Sequence, residues 1–333
     1  MPTSLARVTV IGDGAMGTTC ALLLAGRGSR VTLWSAFPEH ITVLEKDREN
    51  RHFLPGHPFP ESLKLVSDPS EAFDDPTLIV SAVPCQYMRS VWERLAECTP
   101  RDVPIVSVAK GIEIGTLLCP TAIIRDCLGS VPLACLSGPS IAPEVAAKKP
   151  ASIVAASEDA GVTELVQTGF STSYFRVYTS CDLIGVELAG AVKNVIALAA
   201  GIGDGIEVGD NAKAALVTRG LVEITRLGVA LGASADTFRG LAGVGDLITT
   251  CISKVSRNRS AGERIGRGAT TEEVIAGTSS VIEGIPTTRS VLQLAARHDV
   301  EMPIVSGMAS VLFEGRRPAD AIEELMTRPL HGE

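Results

Sequence analysis

The sequence predicts an α/β N-terminal half, a doubly wound sheet, followed by an all-α C-terminal domain. Short β-rich runs alternate with helical stretches as far as Ser180, and beyond that residue only helical patterns recur. The first β-rich run also leads directly into a Gly-x-Gly-x-x-Gly turn.

Taken in order, the strand candidates are Arg7–Ile11, Arg30–Trp34, Thr77–Val83, Val103–Val108, Val131–Leu136 and Ala151–Ala155, with Ser173–Tyr178 able to close the sheet. Between them lie helical stretches such as Met16–Gly26 and Tyr87–Glu97. Alternation of this kind implies a mostly parallel sheet covered by helices. After Ser180, Asp182–Ala200, Ala212–Leu231, Val255–Gly266 and Glu283–His298 read as helices, and Gly201-Ile202-Gly203-Asp204-Gly205 reads as a turn between two of them. The expected domains are therefore residues 1–180 and 181–333, and the tail Thr327–Glu333 is expected to fray.

A chain of 333 residues accommodates two domains with substantial cores. Hydrophobic residues make up 45% and aromatics only 4%, so those cores should be aliphatic; the mean hydropathy is +0.26. The net charge of -8, without a Lys/Arg run, disfavours nucleic acid as a partner, because duplex binding depends on neutralising phosphates. A small anionic substrate is still compatible, since local cations can outweigh a negative average. Eight cysteines without a Cys-x-x-Cys pair predict reduced thiols in a cytoplasmic protein. No secretion signal is expected, since glycines and Asp13 follow Val8–Ile11 at once. Val186–Ile206 is apolar but carries Glu187, Lys193 and Asp204, which predicts a buried helix and no integral membrane association.

The run Val8-Thr9-Val10-Ile11 precedes Gly12-Asp13-Gly14-Ala15-Met16-Gly17. Gly12 permits the tight turn, Gly14 lets backbone approach a pyrophosphate, and Gly17 allows close packing of helix on strand. Amides at the helix N-terminus then face the phosphates. This is the Rossmann-like signature of a nicotinamide dinucleotide site; a purely structural strand-to-helix turn is the alternative. The residues after the second strand are Trp34-Ser35-Ala36-Phe37, with Glu39 late for a ribose contact and neither Lys nor Arg beside Ser35 to take a 2'-phosphate. NAD and NADP both stay open.

Four segments place polar residues in apolar or glycine-rich surroundings. Lys110 follows a strand and is suited to an anionic substrate, or is a solvated loop lysine. Leu136-Ser137-Gly138-Pro139-Ser140 also follows a strand, at the sheet end where open α/β proteins bind ligands. Lys193 lies among small and aliphatic residues on a helix, where burial favours a neutral amine able to act as a general base. The plainer reading is an interdomain lysine paired to a carboxylate. Gly243-Val244-Gly245-Asp246 reads as a glycine-rich turn whose Asp246 fixes a substrate hydroxyl or holds Lys193. Nearby, Arg257 offers a planar fork for phosphate and Asn258 an amide, while Arg259 and Arg264 read as helix-surface charges. The five histidines lack metal-ligand spacing and sit outside these segments, so no metal is expected and a zinc- or histidine-based dehydrogenase is disfavoured.

With these residues assembled, the chain resembles the bacterial-type NAD(P)-dependent glycerol-3-phosphate dehydrogenases along nearly its whole length. The matching segments are Gly12–Gly17, Leu33-Trp34, Phe53-Leu54-Pro55, Ala109-Lys110-Gly111, Ser137–Ser140, Gly185–Ala197, Asn211–Leu216, Gly243–Leu247, Ser256-Arg257-Asn258 and Val281–Gly284. The resemblance implies interconversion of sn-glycerol 3-phosphate and dihydroxyacetone phosphate with NAD or NADP, feeding glycerophospholipid synthesis, by a homodimer joined through the helical half. It implies that Lys193 transfers the proton. It also implies that Lys110, Gly138, Ser140, Lys193, Asp246, Ser256, Arg257 and Asn258 contact substrate. The coenzyme would meet Gly12, Asp13, Gly14, Ala15, Met16, Gly17, Trp34, Lys110, Ala142, Arg257, Val281 and Glu283. Three departures stand out: Met16 where an aromatic is common, Pro143 where a lysine is frequent, and Ser35-Ala36 in place of a more polar pair. The rival readings are a 6-phosphogluconate-like or hydroxyacid dehydrogenase, which would lack the Ser-Arg-Asn block, and an inactive dinucleotide sensor.

Overall fold

The computed structural model describes residues 5–278 and 280–329, so His331 and the end of the tail expected to fray lie outside the described residues. The chain divides into two compact units. One holds Met1–Lys110 and Cys119–Val186; the other holds Gly111–Leu118 and Glu187–Glu333.

The first unit is built on eight strands: β1 (Arg7–Ile11), β2 (Arg30–Trp34), β3 (Lys64–Val66), β4 (Leu78–Ser81), β5 (Ile105–Ser107), β6 (Leu133–Ser137), β7 (Ala151–Ala156) and β8 (Phe175–Ser180). They form one sheet in the order β3-β2-β1-β4-β5-β6-β7-β8. Between them run α1 (Ala15–Gly26), α2 (Pro38–Asp47), α3 (Pro69–Ala72), α4 (Cys85–Leu95), α5 (Pro120–Leu128), α6 (Ala142–Ala146) and α7 (Ala160–Phe170). All four residues of β4 and all five of β6 are buried. Helices on both faces explain why these strands read as continuous apolar runs without alternation. Val8, Val10, Leu24, Leu33, Leu78, Val80, Val106 and Phe170 belong to the core that results.

Every strand pair is parallel except β6 with β7, where Cys135 lies opposite Ala156. The β6–β7 connection carries only the five-residue α6, too little for a full crossover helix, so the chain turns back. β3 escapes a reading by periodicity because three residues are too few to show one. The strand order reverses at β1, with β2 on one side and β4 on the other, which creates the crevice where such sheets bind ligands.

In the second unit all described elements are helical. After α8 (Leu183–Gly205) come α9 (Asp210–Ala230), α10 (Ala235–Arg239), a π-helical turn (Leu241–Gly245), α11 (Asp246–Ile252), α12 (Arg257–Gly266), α13 (Thr271–Ala276), α14 (Gly284–Arg297), α15 (Pro303–Phe313) and α16 (Pro318–Met326). The short segment Gly111–Leu118 joins this unit, where Ser290 donates from α14 to the Ile112 carbonyl at 2.9 Å. Among the described residues α8 is the one helix long and apolar enough to cross a membrane, yet 94% of its most apolar stretch is covered by protein.

The expected turn at Gly201–Gly205 is instead the last part of α8. A Cβ on Gly201 would lie 2.0 Å from the Arg259 carbonyl oxygen, and one on Gly205 would lie 2.4 Å from that of Glu263. From the other side, Gly262 and Gly266 press on the carbonyls of Leu198 and Ile202 at 2.0 and 2.4 Å by the same measure. The glycines therefore serve backbone contact between α8 and α12, which outweighs their modest helix penalty. Arg259 is likewise no surface charge. Its guanidinium reaches Asp204 of α8 at 2.6 Å and Glu263 at 3.1 Å with only 12% of the side chain exposed. Arg264 is exposed, as expected, and donates to the carbonyl of Glu273.

Glu223 is buried on α9, where its carboxylate accepts the first amides of α15, Ile304 at 2.8 Å and Val305 at 3.3 Å. Burial pushes its pKa from the ordinary 4.5 up to about 7, against the amide bonds and the charges of Arg226 and Arg328. A carboxyl whose folded pKa is raised favours folding fully below its unfolded value, and that contribution is lost as pH rises through the folded value. Relative to Glu223→Gln, the parent should lose on the order of 3 kcal/mol between pH 4.5 and 8. Melting both proteins across that range checks this; a constant difference in Tm would refute it.

Candidate active site

The glycine loop begins where β1 ends. Gly12 takes φ +108°, a conformation that L side chains avoid, and a Cβ there would sit 3.0 Å from the Ala82 carbonyl carbon. A Cβ on Gly17 would lie 2.0 Å from the Gly12 carbonyl oxygen, so α1 approaches the strand turn with no room to spare. Gly14 differs from both. It caps α1 without a side-chain hydrogen bond, and a Cβ there would meet nothing within 4 Å. An open cradle in front of the amides of Ala15, Met16 and Gly17 fits the pyrophosphate of a dinucleotide, by the helix N-terminus logic.

The loop is braced from α2 and the segment behind it. Asp13 is buried, its carboxylate 3.0 Å from His40 Nδ1, and its carbonyl accepts Asn50 Nδ2 at 2.7 Å. Asn50 also donates to Thr18 at 2.8 Å and accepts from the Phe53 amide at 3.1 Å. His40 thus sits beside the glycine loop. The contact spans 27 residues and has no local signal. Met16 is partly buried over a cavity of about 20 Å³, room for about one water, shared with Leu136 and Phe170. Trp34 is 1% exposed and its indole donates to the Ser67 carbonyl at 3.1 Å, so the ring is closed to any ligand.

At the neighbouring strand ends, Lys110 is half-buried and donates to the Gly138 carbonyl at 3.1 Å, which excludes the solvated-loop reading. Ser140 donates to the same carbonyl at 3.0 Å. Gly138 takes φ +139°, and a Cβ there would press within 3.1 Å of the Ile153 backbone. Ala142 opens α6, and Pro143 follows in the first turn. The missing amide there has no intrahelical acceptor in any case, so this departure leaves the helix intact.

The second unit holds a separate cluster. Lys193 projects from α8 with a side chain 6% exposed; its Nζ is 3.0 Å from Asp246 Oδ1 and donates to Thr250 Oγ1 at 2.5 Å. Thr250 in turn donates to the Asp246 carbonyl at 2.6 Å. Asp246 is buried and begins α11, directly after the π-helical turn, so the expected glycine-rich turn is helical throughout. Gly243 makes that turn possible, since a Cβ there would lie 2.1 Å from the Phe238 carbonyl oxygen. The buried ammonium thus has a carboxylate and a hydroxyl as partners, which offsets the cost of removing it from water. Thr250 was missed in the sequence; its only signal is the i, i+4 spacing from Asp246 on a helix. Burial pushes the nearby Cys251 thiol up to about 12 despite the pull of Lys193, so it stays protonated.

Asn258 Nδ2 donates to Asn194 Oδ1 at 3.0 Å and its Oδ1 accepts the Gly284 amide at 2.9 Å, tying α8, α12 and α14 together. Ser256 caps α12 by accepting the Arg259 amide at 3.3 Å. Arg257 donates to the Val281 carbonyl at 3.2 Å and has the Glu283 carboxylate near its charge. Crowding by protein lowers its pKa and Glu283 opposes this, but the residue is exposed, which leaves a cation open to an anion. An ammonium fixed by two partners can polarise and protonate a carbonyl oxygen, and an accessible guanidinium can hold a phosphate.

Comparison with known proteins agrees with both units. Residues 7–163 match the description NAD-dependent glycerol-3-phosphate dehydrogenase N-terminus, and residues 182–323 match its C-terminus. The glycerol-3-phosphate dehydrogenase [NAD(P)+] of Chlorobium phaeobacteroides strain BS1 is 47% identical over 325 residues, 97% of each chain. That of Geobacter sp. strain M21 is 46% identical over 330 residues, 98% of each. The crystal structure of glycerol-3-phosphate dehydrogenase from Coxiella burnetii superposes with a TM-score of 0.94 at 38% identity, covering 97% of this chain and 99% of that one. On this ground the chain belongs to the NAD-dependent glycerol-3-phosphate dehydrogenase family.

Proposed function

We propose that the protein interconverts sn-glycerol 3-phosphate and dihydroxyacetone phosphate with NAD or NADP, in the cytoplasm, as a homodimer that feeds glycerophospholipid synthesis. The observation that carries the reading is the buried Lys193, held at 3.0 Å by Asp246 and at 2.5 Å by Thr250. The coenzyme, when bound, supplies hydride chemistry at C2 of the triose. In reduction, the Lys193 ammonium donates a proton to the C2 oxygen, completing the alcohol; in oxidation, the neutral amine accepts that proton back. Asp246 and Thr250 position the amine. Arg257, with Ser256 and Asn258, holds the phosphate, and Lys110, Gly138 and Ser140 also contact substrate. Gripping the unreactive phosphate converts remote binding into alignment of the reacting carbon. Glycines 12, 14 and 17 seat the coenzyme, with Asp13, Ala15, Met16, Ala142, Val281 and Glu283 around it. Trp34 contributes by forming the end of β2.

A steady-state assay of dihydroxyacetone phosphate reduction with NADH and with NADPH tests this reading. Turnover is expected with at least one coenzyme, and Arg257→Ala should raise KM for the phosphorylated triose by about 10-fold or more, the worth of a charge-assisted contact. No turnover with either coenzyme refutes the reading, and an unchanged KM removes Arg257 from the phosphate.

A further inference from the structure

We propose that Arg94, reaching the C-terminal end of β2 from α4, receives the 2'-phosphate of NADPH and so makes the protein prefer NADPH over NADH. The inference rests on the coenzyme site assigned above.

In a sheet of this order the adenosine ribose lies beyond the C-terminal end of the second strand, where a carboxylate suits the free 2'-hydroxyl of NAD and an arginine suits the 2'-phosphate of NADP. Ser35, Ala36 and Phe37 provide no carboxylate there. Ser35 is fully buried and its hydroxyl accepts the Phe37 amide at 3.2 Å. Glu39 is exposed on the first turn of α2. The linear sequence shows no cation beside these residues either, but the fold brings one from 58 positions onward: Arg94 donates from Nη1 to the Ala36 carbonyl at 3.3 Å.

The guanidinium carbon also lies over the Trp34 ring, 5.3 Å from its centroid, while the residue is exposed at the strand end. One contact to a carbonyl leaves most of its five N–H donors for a phosphate. Asp13 is engaged by His40 at 3.0 Å, and Asp68 binds the amide and hydroxyl of Ser70 at 2.8 and 2.7 Å while feeling the Arg94 charge. Phe37, 52% exposed, offers an apolar face beside the same strand end, suited to the adenine.

Isothermal titration of the full chain with NADPH, NADH, adenosine 2',5'-bisphosphate and adenosine 5'-monophosphate tests the assignment without reference to turnover. The parent should bind NADPH more tightly than NADH, and the bisphosphate more tightly than the monophosphate. Arg94→Met keeps cover on Trp34 and should weaken both 2'-phosphorylated ligands by about 10-fold or more, the worth of a charge-assisted contact, with NADH and the monophosphate nearly unchanged. Arg94→Lys, which keeps the charge without the fork, should fall between. Equal weakening of all four ligands would make Arg94 a prop for Trp34 and overturn the assignment, as would unchanged NADPH affinity in Arg94→Met or a parent that prefers NADH. Melting curves establish that the variants fold. Failure of the parent to bind either coenzyme would instead overturn the oxidoreductase reading, and this inference with it.

Discussion

Lys193→Ala is expected to lower kcat by about 100- to 10,000-fold, the range spanned by a positioned proton donor, while coenzyme affinity holds. The side chain is 6% exposed and its ammonium contacts Asp246 and Thr250, so alanine removes the proton source that the pair positions. A structural cost accompanies the chemical one. The Asp246 carboxylate, 4% exposed, loses its counter-charge, a penalty on the order of 3 kcal/mol for a buried pair. The two effects separate in the double replacement Lys193→Met with Asp246→Asn, which should recover much of the Tm and none of the turnover. Near-normal kcat at saturating triose in either protein would remove Lys193 from proton transfer. Recovery of kcat along with Tm would show that the pair matters for folding alone.

Gly262→Ala should be among the most damaging methyl additions in the helical unit. Its Cβ would stand 2.0 Å from the Leu198 carbonyl oxygen, and backbone cannot rotate aside as a side chain can. α8 and α12 must then separate, at a cost on the order of 3 kcal/mol, which corresponds to roughly 6–12 °C in Tm for a domain of this size. The same separation stretches the 3.0 Å bond between Asn194 and Asn258, next in sequence to Lys193 and Arg257, so KM for the triose should rise as Tm falls. Gly26→Ala is the control: a Cβ at the end of α1 meets nothing within 4 Å, and its Tm should be unchanged or slightly higher. Equal melting of Gly262→Ala and the parent would mean that the two helices are not in the contact described.

How far the chain could be read in advance depended on the range of the interaction involved. β1 and β2 were legible to the residue, because buried parallel strands write themselves as apolar runs and the glycine turn follows from φ at single positions. The four-helix reading of the second half was legible in part; α10, α11, α13, α15 and α16 are short or nearly uniform in polarity and show little periodicity. Lys193 stood out as a charge in an apolar helix, and so did the Ser-Arg-Asn block.

Local chemistry alone was thus sufficient for the parallel sheet, the dinucleotide loop and the helical second half, since each depends on neighbours within a few residues. Packing decided the remainder. Gly201 and Gly262, which look like helix breaks in a string of letters, are the points at which two helices touch backbone to backbone. Asp246 finds Lys193 across 53 residues, Asn258 finds Asn194 across 64, and Arg94 finds Ala36 across 58. Contacts of that range depend on which faces of separate elements meet, and spacing along the chain carries no record of it.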